Sequence, residues 1–233
     1  MSKQVSIIGV PMDFGQQLRG VDMGPAAVRY TGVIPKLRAL GHAVEDLGDV
    51  RIPIRDCDTD ICDNDPSIKI DTRRYVDEIT TVCRSVYTVG SRIVGQGKFP
   101  LFIGGDHSIA VGTVSAVTEK EPSGLIWIDA HADFNTPQTS PSGNIHGMPL
   151  SVLMGEGHES LVDVGRPGAK ILPENVVLIG QRDIDPGEKT RLKKKGVIVF
   201  TMRDIDEQGI SAVANKTLMK FVHLKRIHLT LDM

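Results

Sequence analysis

Acidic and imidazole side chains alternate in the segment 129–133, which reads Asp-Ala-His-Ala-Asp. The segment directly follows an apolar run at 124–128, which is typical of a buried strand. Because alternate side chains of an extended chain point the same way, Asp129, His131 and Asp133 are expected to face one point. Two carboxylates and one imidazole form a ligand set that suits manganese or a similar divalent ion. A helix-capping aspartate with a hydrogen-bonded loop histidine is the alternative interpretation, and it explains the alternation less well.

Polar side chains that could bind a ligand also follow other predicted strands. Residues 104–108 read Gly-Gly-Asp-His-Ser after one apolar run, residues 180–185 follow a second, and Asp232 follows a third. In an open parallel sheet, ligands bind beyond the carboxyl ends of the strands. We therefore expect His107 and Asp232 to join the Asp-x-His-x-Asp segment around one or two metal ions. The paired glycines are expected to let the backbone turn sharply and approach the metals closely.

The loop at 135–147, which follows the metal segment, is polar and contains glycine. Its amide and hydroxyl groups could hold a carboxylate by neutral hydrogen bonds. His146 is a candidate proton shuttle because the ordinary pKa of histidine lies near neutrality. The alternative is that His146 simply begins a helix before residues 148–150, and its position alone leaves both interpretations open.

The composition excludes several classes of protein. Hydrophobic residues make up 40% of the chain and charged residues 24%, and the formal net charge is -2. No basic face is implied, so nucleic acid is not an expected partner. No apolar stretch is long enough for a membrane span or a signal-peptide core. The three cysteines give no disulfide framework, and we expect a cytoplasmic protein.

Short apolar runs alternate with longer amphipathic stretches, which predicts an α/β fold with a mainly parallel sheet covered on both faces. The predicted strands lie at 5–10, 44–47, 99–103, 125–129, 176–179, 197–200 and 227–231. The predicted helices lie at 25–40, 71–96, 108–119 and 209–224, and Pro35 is expected to kink or split the first. The polar segment 55–67 is interpreted as a surface loop because it lacks the Gly and Glu of a calcium loop. No shift in composition marks a boundary, so residues 1–233 are predicted to form a single domain.

The motifs together resemble the ureohydrolase superfamily, and specifically the arginases. They are the Gly-Gly-Asp-His-Ser motif, Asp-Ala-His-Ala-Asp-Phe-Asn-Thr at 129–136 and Ser-Pro-Ser-Gly-Asn-Ile-His-Gly at 140–147. Residues 9–15, 19–25 and 45–49 resemble the bacterial branch. The resemblance implies a three-layer α-β-α fold of the arginase/deacetylase type. It also implies a hydrolase of linear amidine C–N bonds, which converts L-arginine to L-ornithine and urea with two Mn²⁺ ions and a hydroxide that bridges them.

The resemblance also implies roles for individual residues. One ion would bind His107, Asp129, Asp133 and Asp232. The other would bind His131, with Asp129 and Asp232 bridging. The residues similar to those that read the substrate's α-carboxylate are Asn135, Ser142 and Asn144. Asp185 resembles the residue that contacts the α-ammonium, Asp133 would accept a proton from the hydroxide, and His146 would protonate the leaving amine.

Two alternatives stand beside an arginase. Agmatinase, or another ureohydrolase of guanidino substrates, is the nearest; the agmatine substrate lacks an α-carboxylate, so Ser142 and Asn144 favour arginine. The other alternative follows from the end of the sequence, because the family's last metal motif is Asp-x-Asp and Asp232 is followed only by Met233. A non-catalytic truncated metal-binding protein would also end in this way.

This departure leads to further expectations. The domain is expected to be incomplete at its C-terminus and to lack its last strand. The lost strand would lie between the strand that ends near His107 and the strand that ends at Asp232. The second metal position is expected to be weakly occupied, and the 233-residue polypeptide to show little or no activity. Family members are usually oligomers, so a homo-oligomer is expected for the full-length form, with a role in arginine metabolism such as the urea cycle.

Overall fold

The computed structural model describes residues 2–54 and 75–233. The predicted surface loop at 55–67 and the first residues of the predicted helix at 71–96 lie outside these ranges. The strands are β1 Gln4–Val10, β2 Ala43–Asp49, β3 Phe99–Gly104, β4 Gly124–Ile128, β5 Val176–Gln181, β6 Ile198–Thr201 and β7 Ile227–Leu231. The helices are α1 Gly24–Tyr30, α2 Val33–Ala39, α3 Val76–Gly95, α4 Ala110–Thr118, α5 Pro149–Leu153, α6 Glu159–Val162, α7 Pro186–Lys195, α8 Met202–Gln208 and α9 Ile210–Lys220. Among the described helices, none has the length and apolar character needed to cross a membrane.

The strands form two parallel sheets, in the orders β2-β1-β3 and β6-β5-β4-β7. Gly9 pairs with Ile103 across β1 and β3, and Ile126 pairs with Leu229 across β4 and β7. Strands β3 and β7 are therefore edge strands, and within the described ranges no hydrogen-bonded ladder joins the two sheets. The predicted α/β fold is confirmed, and so is the predicted gap between the strand before His107 and the strand before Asp232.

Helices cover both faces of the sheets. Along β4, Leu125 and Trp127 pack with Leu192 of α7, whereas Ile126 packs with Val213 of α9 on the opposite face. This follows from the alternation of side chains along a strand. The three-stranded sheet is covered in the same way, by α3 and α4 on one side and by α1 and α2 on the other. The predicted three-layer arrangement is confirmed.

The predicted helix at 25–40 is divided in two, but not by Pro35. Gly32 has a φ of 78°, a left-handed conformation that separates α1 from α2. Pro35 lies in the first turn of α2, where the backbone N–H groups have no partner within the helix. The prediction that Pro35 causes the break is therefore wrong, because a proline in the first turn removes no helical hydrogen bond.

Candidate metal and substrate site

Three buried side chains meet at the carboxyl ends of β3 and β4. His107, Asp129 and Asp133 each offer a ligand atom, and these atoms lie within 4.8 Å of one another. Asp232 follows β7, and its Oδ2 lies 3.5 Å from Nδ1 of His107. His131 is more exposed, and its Nδ1 lies 3.4 Å from Oδ1 of Asp129. The structure thus brings all five sequence-predicted ligands to one rim.

The geometry of this cluster fits a bound cation. Nδ1 of His107 is approached by carboxylate oxygens of Asp129 at 3.1 Å, Asp133 at 2.8 Å and Asp232 at 3.5 Å. Oδ2 of Asp133 is buried and has no hydrogen-bond partner among the described residues, although it lies close to Nδ1 of His107. Buried carboxylates at this density repel one another unless positive charge lies among them. Oxygen donors with imidazole nitrogen are the donor set that Mn²⁺ and similar ions accept.

The same crowding shifts the pKa values of the ligands. Burial alone would lower the pKa of His107, but the carboxylates of Asp129 and Asp133 outweigh it and raise the pKa to about 10. Burial raises the pKa of Asp133 above its ordinary value, while His107 and, more weakly, His146 oppose the rise.

Neighbouring side chains orient the ligands. Nε2 of His107 lies 2.9 Å from the hydroxyl of Thr230 in β7, which leaves Nδ1 to face the carboxylates. The indole of Trp127 packs on the His107 ring with centroids 4.2 Å apart, and its N–H donates to Asp129 at 3.2 Å. The sequence contained a signal for Thr230, because it lies two residues before Asp232 and so on the same face of the strand.

Gly105 allows close contact between two loops beside the cluster. A Cβ atom on Gly105 would lie 1.9 Å from the carbonyl oxygen of Met12, so the glycine permits close contact with the chain after β1. Asp106, the next residue, accepts hydrogen bonds from the backbone N–H groups of Gly15 and Ser108, each at 2.9 Å. Gly105 therefore lets two loops pack together, and the expected close approach of the backbone to a metal stays a prediction.

The loop after β1 also reaches His146. The backbone N–H of His146 donates to the carbonyl of Gly15 at 3.0 Å. The alternative interpretation of His146 is also partly met, because a short 3₁₀ turn spans Ile145–Gly147, directly before α5. His146 is thus held by the backbone between the Gly15 loop and α5.

The residues predicted to bind the α-carboxylate and α-ammonium groups of a substrate form two groups. The amide of Asn135 donates to the carboxylate of Asp185 at 2.8 Å, so these two are in contact. The hydroxyl of Ser142 accepts from the backbone N–H of Asn144 at 3.2 Å within one exposed turn. Asn135 follows Asp133 by two residues, and Glu188 accepts hydrogen bonds from the backbone of both Phe134 and Asp185, so the first group lies beside the cluster.

Two residues that support this site were missed from the sequence. Glu188 is 4% exposed and accepts hydrogen bonds from the backbone of Phe134 and of Asp185. Arg191 donates to the Phe134 carbonyl and lies over the Phe134 ring. The pattern Asp185-Pro-Gly-Glu188 is a capping box, which could have indicated the start of α7 and the role of the glutamate in it.

Comparison with known proteins gives one consistent family. A sequence model described as the arginase family matches residues 3–233. The arginase of Bacillus subtilis strain 168 is 44% identical over 235 residues, which cover 100% of this chain and 76% of that protein. The arginase of Bacillus caldovelox is 45% identical, with coverage of 99% and 76%. The chain spans about three quarters of the length of these relatives.

Solved structures agree with the sequence matches. The crystal structure of arginase from Bacillus subtilis superposes with a TM-score of 0.88 at 43% identity, covering 99% of this chain and 74% of that one. The arginase of Entamoeba histolytica, solved in complex with L-ornithine, gives a TM-score of 0.86 at 29% identity, with coverage of 100% and 76%.

Proposed function

The chain belongs to the arginase family, and from that premise we propose that it hydrolyses L-arginine to L-ornithine and urea at the His107, Asp129 and Asp133 cluster. The observation that carries the proposal is the position of this cluster beside the Asn135 and Asp185 pair. Side chains that fit a metal ion therefore border polar groups that fit an amino acid. The cofactor would be Mn²⁺, two ions per complete site.

The ligands divide between two positions. The first ion would be held by His107, Asp129, Asp133 and Asp232. The second would be held by His131 together with the shared carboxylates of Asp129 and Asp232. Bound divalent ions would supply a nucleophile at neutral pH by lowering the pKa of water.

The chain's own side chains would bind the substrate and move protons. Asp185 would pair with the α-ammonium, and its carboxylate is already oriented by the Asn135 amide. Asn135, Ser142 and Asn144 would donate hydrogen bonds to the α-carboxylate. Asp133 would accept the proton released after attack on the guanidinium carbon. His146 would give a proton to the departing δ-amine of ornithine, which is a poor leaving group unless protonated.

An assay of urea and ornithine tests this proposal. The protein expressed from its gene and loaded with Mn²⁺ is expected to release both products from L-arginine in equal amounts. Metal binding without urea release from any guanidino compound would instead support the non-catalytic alternative. Loss of activity on Asp133→Asn, with a normal melting temperature, would tie the reaction to the cluster.

Substrate choice separates arginase from agmatinase. Replacing Ser142 and Asn144 by alanine should raise the KM for L-arginine by about 10-fold or more, because hydrogen bonds to a charged carboxylate are lost. The KM for agmatine, which has no α-carboxylate, should change little. Equal effects on the two substrates, or faster turnover of agmatine by the unmodified protein, would contradict the assignment to arginine.

A further inference from the structure

Glu188 joins two segments of the proposed active site through its carboxylate. It lies in the first turn of α7, and one oxygen accepts from the backbone N–H of Phe134 at 2.7 Å. The other oxygen accepts from the backbone N–H of Asp185 at 3.0 Å. The side chain is 4% exposed, so both bonds are sheltered from water. One buried carboxylate therefore fixes the residue after the metal ligand Asp133 and also the backbone of Asp185.

The segment that Glu188 fixes is strained. Asp133 has a φ of 47°, and among residues 2–54 and 75–233 it is the only residue other than glycine with a positive φ. Such a conformation is unfavourable for a residue with a side chain and persists only where the surroundings enforce it. The peptide group between Asp133 and Phe134 is held at both ends: its carbonyl accepts from the backbone N–H of Leu150, and its N–H donates to Glu188. These two bonds fix the C-terminal side of the strained residue.

Phe134 is held at its carbonyl as well as at its N–H. Arg191, one turn further along α7, donates to the carbonyl of Phe134 and to the hydroxyl of Ser151. Its guanidinium lies 4.3 Å from the centroid of the Phe134 ring. Helix α7 therefore holds Phe134, the residue after Asp133, at both its N–H and its carbonyl.

We propose that Glu188 is a positioning residue that fixes the position of the metal ligand Asp133 relative to the ammonium-binding Asp185. Glu188 does not react; it acts through the backbone of residues 134 and 185. The inference rests on the proposed function, because the relative position of Asp133 and Asp185 matters only if one substrate spans the metal cluster and Asp185. It predicts that loss of the Glu188 carboxylate weakens metal binding and recognition of the α-ammonium together.

The test compares Glu188→Gln with Glu207→Gln, a matched substitution of an exposed glutamate in α8 that pairs with Arg203. Glutamine keeps the size of the side chain but places an NH₂ group against one of the two backbone N–H donors. Titration calorimetry with Mn²⁺ should give a dissociation constant about 10-fold higher for the Glu188 variant, as is usual when a group supporting a ligand is lost. Glu207→Gln should bind Mn²⁺ as the unmodified protein does.

The second readout is substrate discrimination by the protein expressed from its gene. L-Arginine is compared with 5-guanidinopentanoate, which lacks only the α-amino group. The ratio of their kcat/KM values should fall by about 10-fold in Glu188→Gln, because the support of Asp185 is lost. This ratio does not depend on how much of the sample is folded, so a general loss of stability would not alter it.

The outcomes separate this inference from the proposed function. A lower melting temperature with the Mn²⁺ dissociation constant and the substrate ratio both within twofold of the control would show that Glu188 only stabilises the fold, and would overturn the inference. If the unmodified protein hydrolyses no L-arginine, the proposed function fails. The Mn²⁺ titration would then still decide whether Glu188 positions Asp133.

Discussion

Gly105→Ala should destabilise the protein strongly, although it adds a single methyl group. The added Cβ would lie 1.9 Å from the carbonyl oxygen of Met12 and 2.7 Å from its backbone carbon and nitrogen. Ordinary contact begins at 3.4 Å, so the backbones would have to separate by about 1.5 Å. That separation would break the hydrogen bond from Asp106 to Met12, now 2.7 Å, and strain the one from Gly105 to Val10, now 2.9 Å.

The size of the effect follows from these contacts. Overpacking of a rigid site costs about 1–3 kcal/mol, and each lost backbone hydrogen bond costs about 1 kcal/mol. We expect the free energy of unfolding to fall by roughly 3–5 kcal/mol, measured by urea denaturation. Because His107 follows Gly105 by two residues, affinity for Mn²⁺ should fall as well.

Gly95→Ala is the matched control. Gly95 is the last residue of α3, its φ is not positive, and a Cβ there would meet nothing within 4 Å. Alanine is favoured over glycine in a helix, so the free energy of unfolding of this variant should rise by up to about 1 kcal/mol. If the free energy of unfolding of Gly105→Ala lies within about 0.5 kcal/mol of that of the unmodified protein, the close contact with Met12 does not constrain the site and the reasoning fails.

Three further predictions concern other parts of the molecule. Lys170→Met should lower the free energy of unfolding by about 2–4 kcal/mol, because the ammonium of Lys170 is buried and donates to the carbonyls of Val162, Arg166 and Gly168; an unchanged urea midpoint would contradict this. Burial raises the pKa of the Cys83 thiol, so mass spectrometry should find no iodoacetamide adduct at this residue in the native protein. Rapid labelling of the native protein would contradict the buried position of this thiol. Mn²⁺ at 100 times its dissociation constant should stabilise the protein by about 2.7 kcal/mol, and a chelator should reverse this stabilisation. A melting temperature that does not change with Mn²⁺ would contradict a metal site that exists only in the folded state.

The residues of the candidate metal cluster were predictable because their signal is local. Asp129, His131 and Asp133 follow one apolar run at alternate positions, and a parallel sheet places the ends of different strands on one rim. His107 and Asp232 lie at the ends of two other strands, and the structure brings all five together. The layered α/β architecture followed from the alternation of short apolar and amphipathic stretches for the same reason.

What the sequence did not predict depends on contacts between distant segments. The role of Gly105 became visible only when the carbonyl of Met12 was found against it. The break between α1 and α2 falls at Gly32 because a left-handed residue ends a helix, whereas Pro35 is harmless in a first turn. Glu188 is separated from Phe134 by more than fifty residues, so only its capping pattern with Asp185 is readable locally.

Anomalous diffraction from crystals soaked in Mn²⁺ tests the central claim most directly. The claim is that imidazole and carboxylate groups from separate strand ends form one cation site. The account predicts a strong anomalous peak within coordination distance of Nδ1 of His107 and of carboxylate oxygens of Asp129 and Asp133, with a neighbouring peak beside His131. Peaks only at other surfaces, or no peak at this rim under conditions that saturate the protein in solution, would contradict it.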